Sequence, residues 1–556
     1  MMDEPRLADW QVRCIEHLLE LEGVEPVLLI TNAESGRPWL KRFLRALFSR
    51  DFPFLVFKKL FVRAPCLRMR DLPHRFDGVP ILSCRVTTKG RFSQYFSEDD
   101  LEVIRGYRLD FILRFGFNII RGGILRAARY GVWSFHHGDE TRYRGSPPCF
   151  WEIYDGDRVT GTILQRLTHR LDGGIALRRH AYLTDCLSYA GNLNKAFYAS
   201  TVMPLQVCRD ILNGEAGYLD GRPSRTKAPI RYNPSLFQLT VFIFKLLSNF
   251  IKRLLVHFFL HETWNVGLLD RPIHSFIEDP IPKGIAWLPA APHGRFQADC
   301  FGVARSGGGG TVLLESYDHR AGRGEIRYVE LPQDGISNAH PPRPAIREEH
   351  HLSYPFLITA DDELFCLPEA TESGSLVIYR AVEFPRRWAR EKVLLEGVRA
   401  VDPTVVFYEG GWWLFFCEFA PDICLHIWYA EDLLGDWKPC ANNPVKVDIR
   451  LCRPAGTPFI HDGALYRPVQ DCAEHYGRRV VLMRVTRLTP DSFTEVPVCV
   501  INPETDSEYP HGLHTLSAFG DKTLVDGKRL SYTPFKLMYQ LPRLGENLRR
   551  FTGRTG

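Results

Sequence analysis

Hydrophobic and polar positions change their pattern about half-way along the 556-residue chain. In the first half, short apolar runs alternate with stretches whose apolar residues recur every three or four positions, as on a helix with one buried face. Such alternation predicts a doubly wound α/β domain with a parallel sheet, which we place at 1–216. We expect strands over 27–30, 79–86, 109–116, 132–135, 159–165 and 175–183, and helices over 97–106, 121–129, 147–154 and 188–215.

The first seven residues, MMDEPRL, are too short and polar to be the strand that normally opens such a domain. We therefore expect either a sheet that lacks its first strand or a start that is placed too late. In both cases the strand that we expect to be missing is a central strand of the sheet.

From residue 265 onward, short strands are divided by Gly, Pro and Asp. Short motifs recur about every 45 to 60 positions, which suits a repeat of four strands. We therefore predict a five-bladed β-propeller over 265–545. The motifs lie at 297–299, 354–356, 401–403, 453–456 and 512–515.

A Gly, Pro and basic segment followed by a strongly apolar stretch forms a predicted linker over 217–264. Within it, 235–261 carries one polar stripe of Lys245, Asn249 and Lys252, which predicts an amphipathic helix and not a membrane span. The helix either joins one domain to the next or lies on a membrane surface.

The net charge of +5 hides an asymmetry. Residues 1–260 hold 38 Lys+Arg and 26 Asp+Glu, a balance of +12, which leaves 32 and 39, or −7, for the rest. A basic first half suits an anionic small molecule, whereas nucleic-acid binding would need denser basic clusters.

The fourteen cysteines are scattered without a C-x-x-C pair, so we expect a reducing, cytoplasmic location and no structural metal. The oligomeric state is open.

Chemistry-bearing residues follow the strand predicted at 132–135, at the carboxyl edge where open α/β sheets place their ligands. The run Gly131–Gly145 reads GVWSFHHGDETRYRG, and RLDGG follows at 170–174. The histidines and arginines of this loop are His136, His137, Arg142 and Arg144, with Gly145 after them.

This pattern resembles the folate-dependent formyltransferases, whose signature is Asn-x-His, Arg-Gly and a later Leu-Asp-x-Gly. The resemblance implies that His136 moves protons, that Asp172 fixes its tautomer, and that 10-formyltetrahydrofolate donates the formyl group. His137, Arg142, Arg144 and Gly145 would then line the substrate or cofactor pocket.

Ser134 stands where that family has its asparagine. Three possibilities stay open: Ser134 supplies the oxyanion donor, Asn118 replaces the lost amide, or the domain performs different chemistry. Loss of one such donor typically costs about 10²- to 10³-fold in rate.

The second half resembles the N-terminal domain of plant glucosamine inositolphosphorylceramide transferases. The resemblance rests on Tyr354-Pro355-Phe356, Pro368-Glu369, Asp402-Pro403-Thr404, the run 465–471 and Leu513-His514-Thr515. It is also similar to propeller glycosidases, whose acidic residues surround a central channel. The resemblance makes Asp299, Glu369 and Asp402 the candidates for that role. Arg453 occupies the region where those glycosidases have a further acid, and it suits an anionic group. Sugar binding, glycosidic chemistry and a structural role are the alternatives.

These observations support two main hypotheses. In the first, the first domain transfers a formyl group to an amine of a sugar or small metabolite that the propeller recognises. In the second, the propeller binds or processes carbohydrate and the first domain is a degenerate scaffold. A third hypothesis is an interaction protein held at a membrane surface by 235–261.

Overall fold

The computed structural model describes residues 1–3, 6–33, 51–90, 92–170, 173–306, 308–333, 335–419 and 423–533. The chain divides into two compact units, Met1–Phe250 and Ile251–Gly556. The predicted boundaries at 216 and 265 stay predictions. The described α-helices are α1 Asp9–Leu19, α2 Phe52–Phe61, α3 Glu98–Gly106, α4 Trp151–Asp155, α5 Tyr189–Ala199, α6 Met203–Leu212 and α7 Leu236–Phe259.

Short strands dominate the first unit between its helices. They are β1 Arg6–Ala8, β2 Leu29–Asn32, β3 Met69–Asp71, β4 Ile81–Cys84, β5 Thr87–Lys89, β6 Ser93–Tyr95, β7 Ile112–Arg114, β8 Ile119–Arg121, β9 Val132–His136, β10 Arg144–Gly145, β11 Val159–Arg166, β12 Ile175–Leu183 and β13 Ile230–Arg231.

The main sheet of the first unit has the strand order β12-β11-β9-β7. Only β7 and β9 run parallel in it, because β11 is antiparallel to both β9 and β12. The predicted parallel, doubly wound sheet is therefore present only in part. The connection between β11 and β12 is 167–174, which is shorter than the dozen or more residues that a parallel crossover needs.

The chain start lies beside β2 and β7. Met2 N–H donates to the Ile30 carbonyl at 2.9 Å, and Phe115 N–H donates to the Met1 carbonyl at 2.9 Å. Met1 and Met2 thus make backbone hydrogen bonds on both sides, although the sequence pattern does not predict a strand there.

A second departure is the predicted helix 121–129, which is a 3₁₀ turn at Gly122–Arg126.

The second unit is built from twenty strands within the described residues. They are β14 Leu260–Leu269, β15 Ala286–Trp287, β16 Arg295–Ala304, β17 Gly310–Asp318, β18 Arg323–Leu331, β19 Arg343–Ile346, β20 Ser353–Ala360, β21 Glu363–Glu369, β22 Ser375–Glu383, β23 Arg387–Glu396, β24 Val401–Tyr408, β25 Gly411–Glu418, β26 Cys424–Ala430, β27 Lys438–Pro439, β28 Phe459–His461, β29 Ala464–Asp471, β30 Arg479–Leu488, β31 Phe493–Ile501, β32 Leu516–Phe519 and β33 Lys522–Tyr532.

These strands form five four-stranded antiparallel sheets in the part of the chain that the structure describes. Four of the sheets follow chain order: β16 to β19, β20 to β23, β24 to β27, and β28 to β31. The remaining sheet has the order β15-β14-β33-β32, so it combines the first and last strands of the unit. Its long pairing runs from Leu260 opposite Tyr532 to Leu269 opposite Thr523.

The first strand of three successive sheets carries the same irregularity. The pairing register shifts in β16, β20 and β24, and the shifts include Asp299, Tyr354 and Asp402. These three residues have positive φ angles of 52°, 45° and 49°. Non-glycine residues adopt this region at a cost of order 1–3 kcal/mol, and such residues cluster at functional sites. The recurrent sequence motifs therefore correspond to a repeated backbone kink.

The apolar stretch 235–261 forms α7, as predicted. Within the described part of the chain, no helix combines the length and apolarity needed to cross a membrane.

Candidate functional site

Arg114, which sequence reasoning missed, is a hydrogen-bond partner of Ser134 in the first unit. Ser134 lies on β9 and is buried, and its hydroxyl accepts a hydrogen bond of 2.7 Å from the Arg114 guanidinium. The same guanidinium donates to the carbonyls of Phe117 and Asn118 at 2.9 and 2.8 Å. Asn118 thus enters this network through its backbone carbonyl.

The two histidines at the end of β9 have different surroundings. His136 Nε2 donates to the Tyr143 carbonyl at 2.8 Å. His137 stacks on Phe197 with ring centroids 3.7 Å apart, and its Nε2 lies 3.2 Å from the Ser200 hydroxyl. Burial among these groups, followed by the charge of His136, lowers the pKa of His137 to about 3. His137 is therefore neutral at physiological pH.

The arginines of the following loop are engaged by the protein itself. Arg142 donates to Asp157 at 2.7 Å, and Arg144 donates to the Ala228 carbonyl at 3.2 Å. Gly145 has a φ of 89°, and a Cβ there would lie 2.1 Å from the Arg231 carbonyl oxygen. This glycine is therefore required by the β10–β13 pairing. Asp172 lies outside the described residues.

The cavity at this site is small. A space of about 10 Å³ is lined by His136, His137, Arg144, Gly145 and Glu152, among others. Glu152, another residue that sequence reasoning missed, is buried, and burial raises the pKa of its carboxyl to about 8. A separate cavity of about 780 Å³ lies elsewhere in the unit, against β2 and β7.

Buried polar side chains from all five sheets of the second unit meet in one cluster. Its central members are Asp299 on β16, Glu369 on β21, Asp402 on β24, Gln470 on β29 and Asp526 on β33, with Arg453, Tyr354 and His514 beside them. All are nine-tenths or more buried. Buried charges persist only when they are paired and hydrogen-bonded, so each contact in this cluster is required. We call these residues the polar cluster.

Hydrogen bonds link neighbouring sheets around the polar cluster. Asp299 N–H donates to Asp526 at 3.1 Å, Tyr354 N–H donates to Asp299 at 3.3 Å, and Asp402 N–H donates to Glu369 at 2.9 Å. Gln470 donates to Asp402 at 2.8 Å. The circuit closes where Leu516 N–H donates to the Ala455 carbonyl at 2.8 Å. Side-chain carboxylates thus join four neighbouring pairs of sheets, and a backbone hydrogen bond joins the fifth pair.

His514 lies between two carboxylates of the polar cluster. Its Nδ1 is 2.7 Å from Asp526 and its Nε2 is 3.3 Å from Asp299. Burial alone would lower the pKa of His514, but Asp526 and Asp299 outweigh it and raise the pKa above its ordinary value. Burial would raise the pKa of Asp526, and the charge and hydrogen bonds of His514 hold it low instead.

These three side chains could each offer a ligand atom to a metal ion, since the atoms lie within 4.8 Å of one another. Both imidazole nitrogens already face a carboxylate, however. His514 and Asp526 therefore form a buried ion pair, and Asp299 is a second carboxylate at the other nitrogen of the imidazole. Burial, opposed by His514, raises the pKa of Asp299 to about 6.

Asp402 and Glu369 form the other half of the polar cluster and differ in charge. Arg453 makes a close Nε contact with Asp402 and a second Nη2 contact at 3.3 Å. Burial, and then the negative charge of Asp402, raise the pKa of Glu369 to about 8. Glu369 is thus a protonated acid at neutral pH beside a carboxylate that a guanidinium neutralises.

Residues 315–510 match the family described as "Glucosamine inositolphosphorylceramide transferase 1, N-terminal". The match includes Glu369, Asp402, Arg453 and Gln470 but not Asp299, His514 or Asp526. It covers part of the second unit only.

Two curated relatives and one solved structure illustrate the similarity. Glucosamine inositolphosphorylceramide transferase 1 of Oryza sativa subsp. japonica is 40% identical over 161 residues, 28% of this chain and 22% of that protein. Methionyl-tRNA formyltransferase of Caulobacter sp. is 32% identical over 111 residues, 19% of this chain and 35% of that protein. The family 117 glycoside hydrolase Zg3597 of Zobellia galactanivorans is 12% identical with a TM-score of 0.31, over 43% of this chain and 88% of that one.

The chain thus spans about a fifth of the length of the plant relative, and it is related in sequence to proteins named as transferases.

The polar cluster reaches the surface beside Arg453. The Arg453 guanidinium lies 4.7 Å from the ring centroid of Tyr476 and 5.9 Å from that of Phe419. Tyr476 is 39% exposed and Phe419 is 58% exposed. Two partly exposed aromatic rings therefore lie against the buried Arg453 cation.

Sequence reasoning named Asp299, Glu369, Asp402 and Arg453, and the structure brings these four residues together. It missed Asp526, Gln470 and Tyr476, and it used His514 only as part of a recurrent motif. Gln470 and His514 lie in runs that carry the family resemblance, 465–471 and 513–515, which was the available signal.

Proposed function

We propose that the second unit is a five-bladed β-propeller that binds a carbohydrate-bearing ligand at the polar cluster. The observation that carries the proposal is the convergence of carboxylates, an imidazole and a guanidinium from all five sheets. The pairing of β14 with β33 supports a closed ring of sheets, because it joins the two ends of the unit.

The chemistry of the polar cluster suits a sugar. A protonated Glu369 donates a hydrogen bond and Asp402 accepts one, which is the combination that hydroxyl groups need. Tyr476 and Phe419 offer exposed aromatic faces for an apolar sugar face. Arg453 adds a cation for an anionic substituent such as a phosphate. The plant relative is named for glucosamine and inositolphosphorylceramide, and these words guide the choice of probes.

Ligand-observed NMR of the full chain with glucosamine and with myo-inositol 1-phosphate tests this proposal. We expect one of the two to bind, and Tyr476→Ala to weaken that binding about fivefold, because stacking on an aromatic ring contributes roughly 1 kcal/mol. The matched control is Tyr532→Ala, an exposed tyrosine of the same unit on β33, which should bind like the wild type. Absence of binding, or equal binding by the Tyr476 variant, contradicts the proposal.

A second candidate function is formyl transfer by the first unit, with 10-formyltetrahydrofolate as the donor. Two observations favour it: the similarity to methionyl-tRNA formyltransferase and the place of His136 at the carboxyl end of β9. The described residues do not fit the cofactor, however. The cavity beside His136 holds about 10 Å³, whereas ligand pockets measure about 300–1,000 Å³. We therefore assign no chemical step to this site.

Titration calorimetry with a stable 10-formyltetrahydrofolate analogue distinguishes the two candidates. Because the cavity beside His136 is small, we expect no binding by the wild-type chain tighter than about 1 mM. Micromolar binding that His136→Ala removes, and that the exposed-site control His74→Ala retains, would reverse the order of the candidates.

A further inference from the structure

The helix α7 presents its polar stripe to the protein and its apolar stripe to the outside. Lys245 donates to the Tyr154 carbonyl, and Asn249 donates to the Cys186 carbonyl at 3.0 Å. Phe242, on the same side of the helix, stacks on Phe150 with centroids 4.1 Å apart. Lys245 and Asn249 of the polar stripe thus attach α7 to the first unit, whereas Lys252 is exposed.

The opposite side of α7 is apolar and exposed. Phe244 is 66% exposed, and residues at helical spacing before and after it are exposed as well. Because these positions recur every three, four or seven residues, they share one face. The exposed apolar residues of this face are Leu236, Phe237, Ile243, Phe244, Leu247, Phe250, Ile251, Leu254 and Leu255. We call them the α7 face.

The helix α2 adds to the apolar surface of the first unit. Phe57 of α2 contacts Phe242 with ring centroids 6.3 Å apart and Phe61 at 5.8 Å. Phe61 is 72% exposed, and Leu60 beside it is exposed too. Exposed apolar residues on two helices that contact each other are typical of an interaction site.

The charges around this surface have one sign. Residues 221–261 contain seven Lys+Arg and no Asp or Glu, and 52–70 contain five Lys+Arg and no Asp or Glu. Lys58 and Lys59 on α2, and Lys252 and Arg253 on α7, are exposed. The basic residues of these two segments complement the headgroups of an anionic bilayer, and the apolar helix face complements its acyl chains.

We propose that the α7 face docks on the surface of an anionic lipid bilayer, with α7 lying in the plane of the membrane. The 24 residues of α7 extend about 36 Å, so the whole helix can lie along the headgroup region. Lys252, which lies beside the α7 face, then reaches the headgroups while Phe244 and Leu247 enter the acyl boundary. This inference is independent of the ligand of the second unit.

Vesicle flotation of the full chain tests the proposal. We expect flotation with vesicles that contain roughly one third phosphatidylserine at low salt, and much less with pure phosphatidylcholine. The double variant Phe244→Glu/Leu247→Glu should reduce the bound fraction at least about tenfold, because two carboxylates cannot enter the apolar boundary. Both residues are exposed, so the variant should fold like the wild type, which circular dichroism checks.

Matched controls separate lipid docking from a general effect of added charge and from self-association. Val103→Glu adds one carboxylate at an exposed position of α3, away from α7 in the sequence, and should float like the wild type. Lys252→Ser/Arg253→Ser should weaken binding to anionic vesicles only. The proposal is overturned if wild type ignores all vesicles, or if light scattering shows a dimer that the Phe244→Glu/Leu247→Glu variant converts to monomer without any lipid binding.

Discussion

Arg453→Met is expected to destabilise the second unit by about 3–5 kcal/mol, the usual cost of removing one partner of a buried ion pair. Asp402 would lose its guanidinium partner while it stays buried beside Glu369 and Asp299. Gln470 alone would then hold the carboxylate. The measurement is urea unfolding, followed by hydrogen exchange of peptides from β24 and β29, since these strands carry Asp402 and Gln470.

Asp402→Asn in the Arg453→Met background provides the control. The double variant contains neither charge, so most of the lost stability should return, as it does when a buried pair is replaced as a unit. Ligand binding should stay absent, because the cation and the carboxylate are both gone. Equal stability of wild type and Arg453→Met would show that the pair is exposed to solvent in the folded protein.

Glu369→Gln is expected to remove a pH dependence from the stability of the second unit. Burial and Asp402 raise the pKa of Glu369 from 4.5 to about 8. Its contribution to stability is therefore fully present below pH 4.5 and is lost as the pH rises toward 8. Glutamine does not titrate, so at pH 8 the variant should be more stable than the wild type by about 3 kcal/mol, relative to their difference at pH 4.5.

Urea unfolding at several pH values from 4 to 8 measures this effect. The matched control is Glu363→Gln on the same strand, which is exposed and should leave the wild-type profile unchanged. Asp299 also has a raised pKa, so a smaller decline from pH 4 to 6 should persist in every variant. Parallel profiles for wild type and Glu369→Gln would mean that Glu369 is ionised in the folded protein.

Periodicity predicted many elements well. The helix predicted at 97–106 is α3 Glu98–Gly106, and the strand predicted at 175–183 is β12. The direction of β11 and β12 in the sheet was not predictable in this way. Apolar alternation indicates a strand but not its orientation, and only the short connection at 167–174 points to an antiparallel pair.

The polar cluster was predicted only where residues repeat. Asp299 and Asp402 occupy the same place in the first strands of their sheets, and Tyr354 has that place in the sheet between them in chain order. The recurrent motifs therefore revealed both aspartates. Asp526 lies 227 positions after Asp299 and meets it only because β33 pairs with β14. No short sequence motif predicts that β33 pairs with β14. The sequence also does not predict which face of α7 packs on the first unit, because an apolar stripe can be buried or exposed.

A crystal structure of the full chain soaked with glucosamine or myo-inositol 1-phosphate would test whether the polar cluster is the ligand site. We expect the ligand on the Tyr476 ring, with an oxygen atom about 3 Å from the Arg453 guanidinium. A ligand bound elsewhere, with Arg453 and Asp402 still shielded by their own neighbours, would contradict the proposed function.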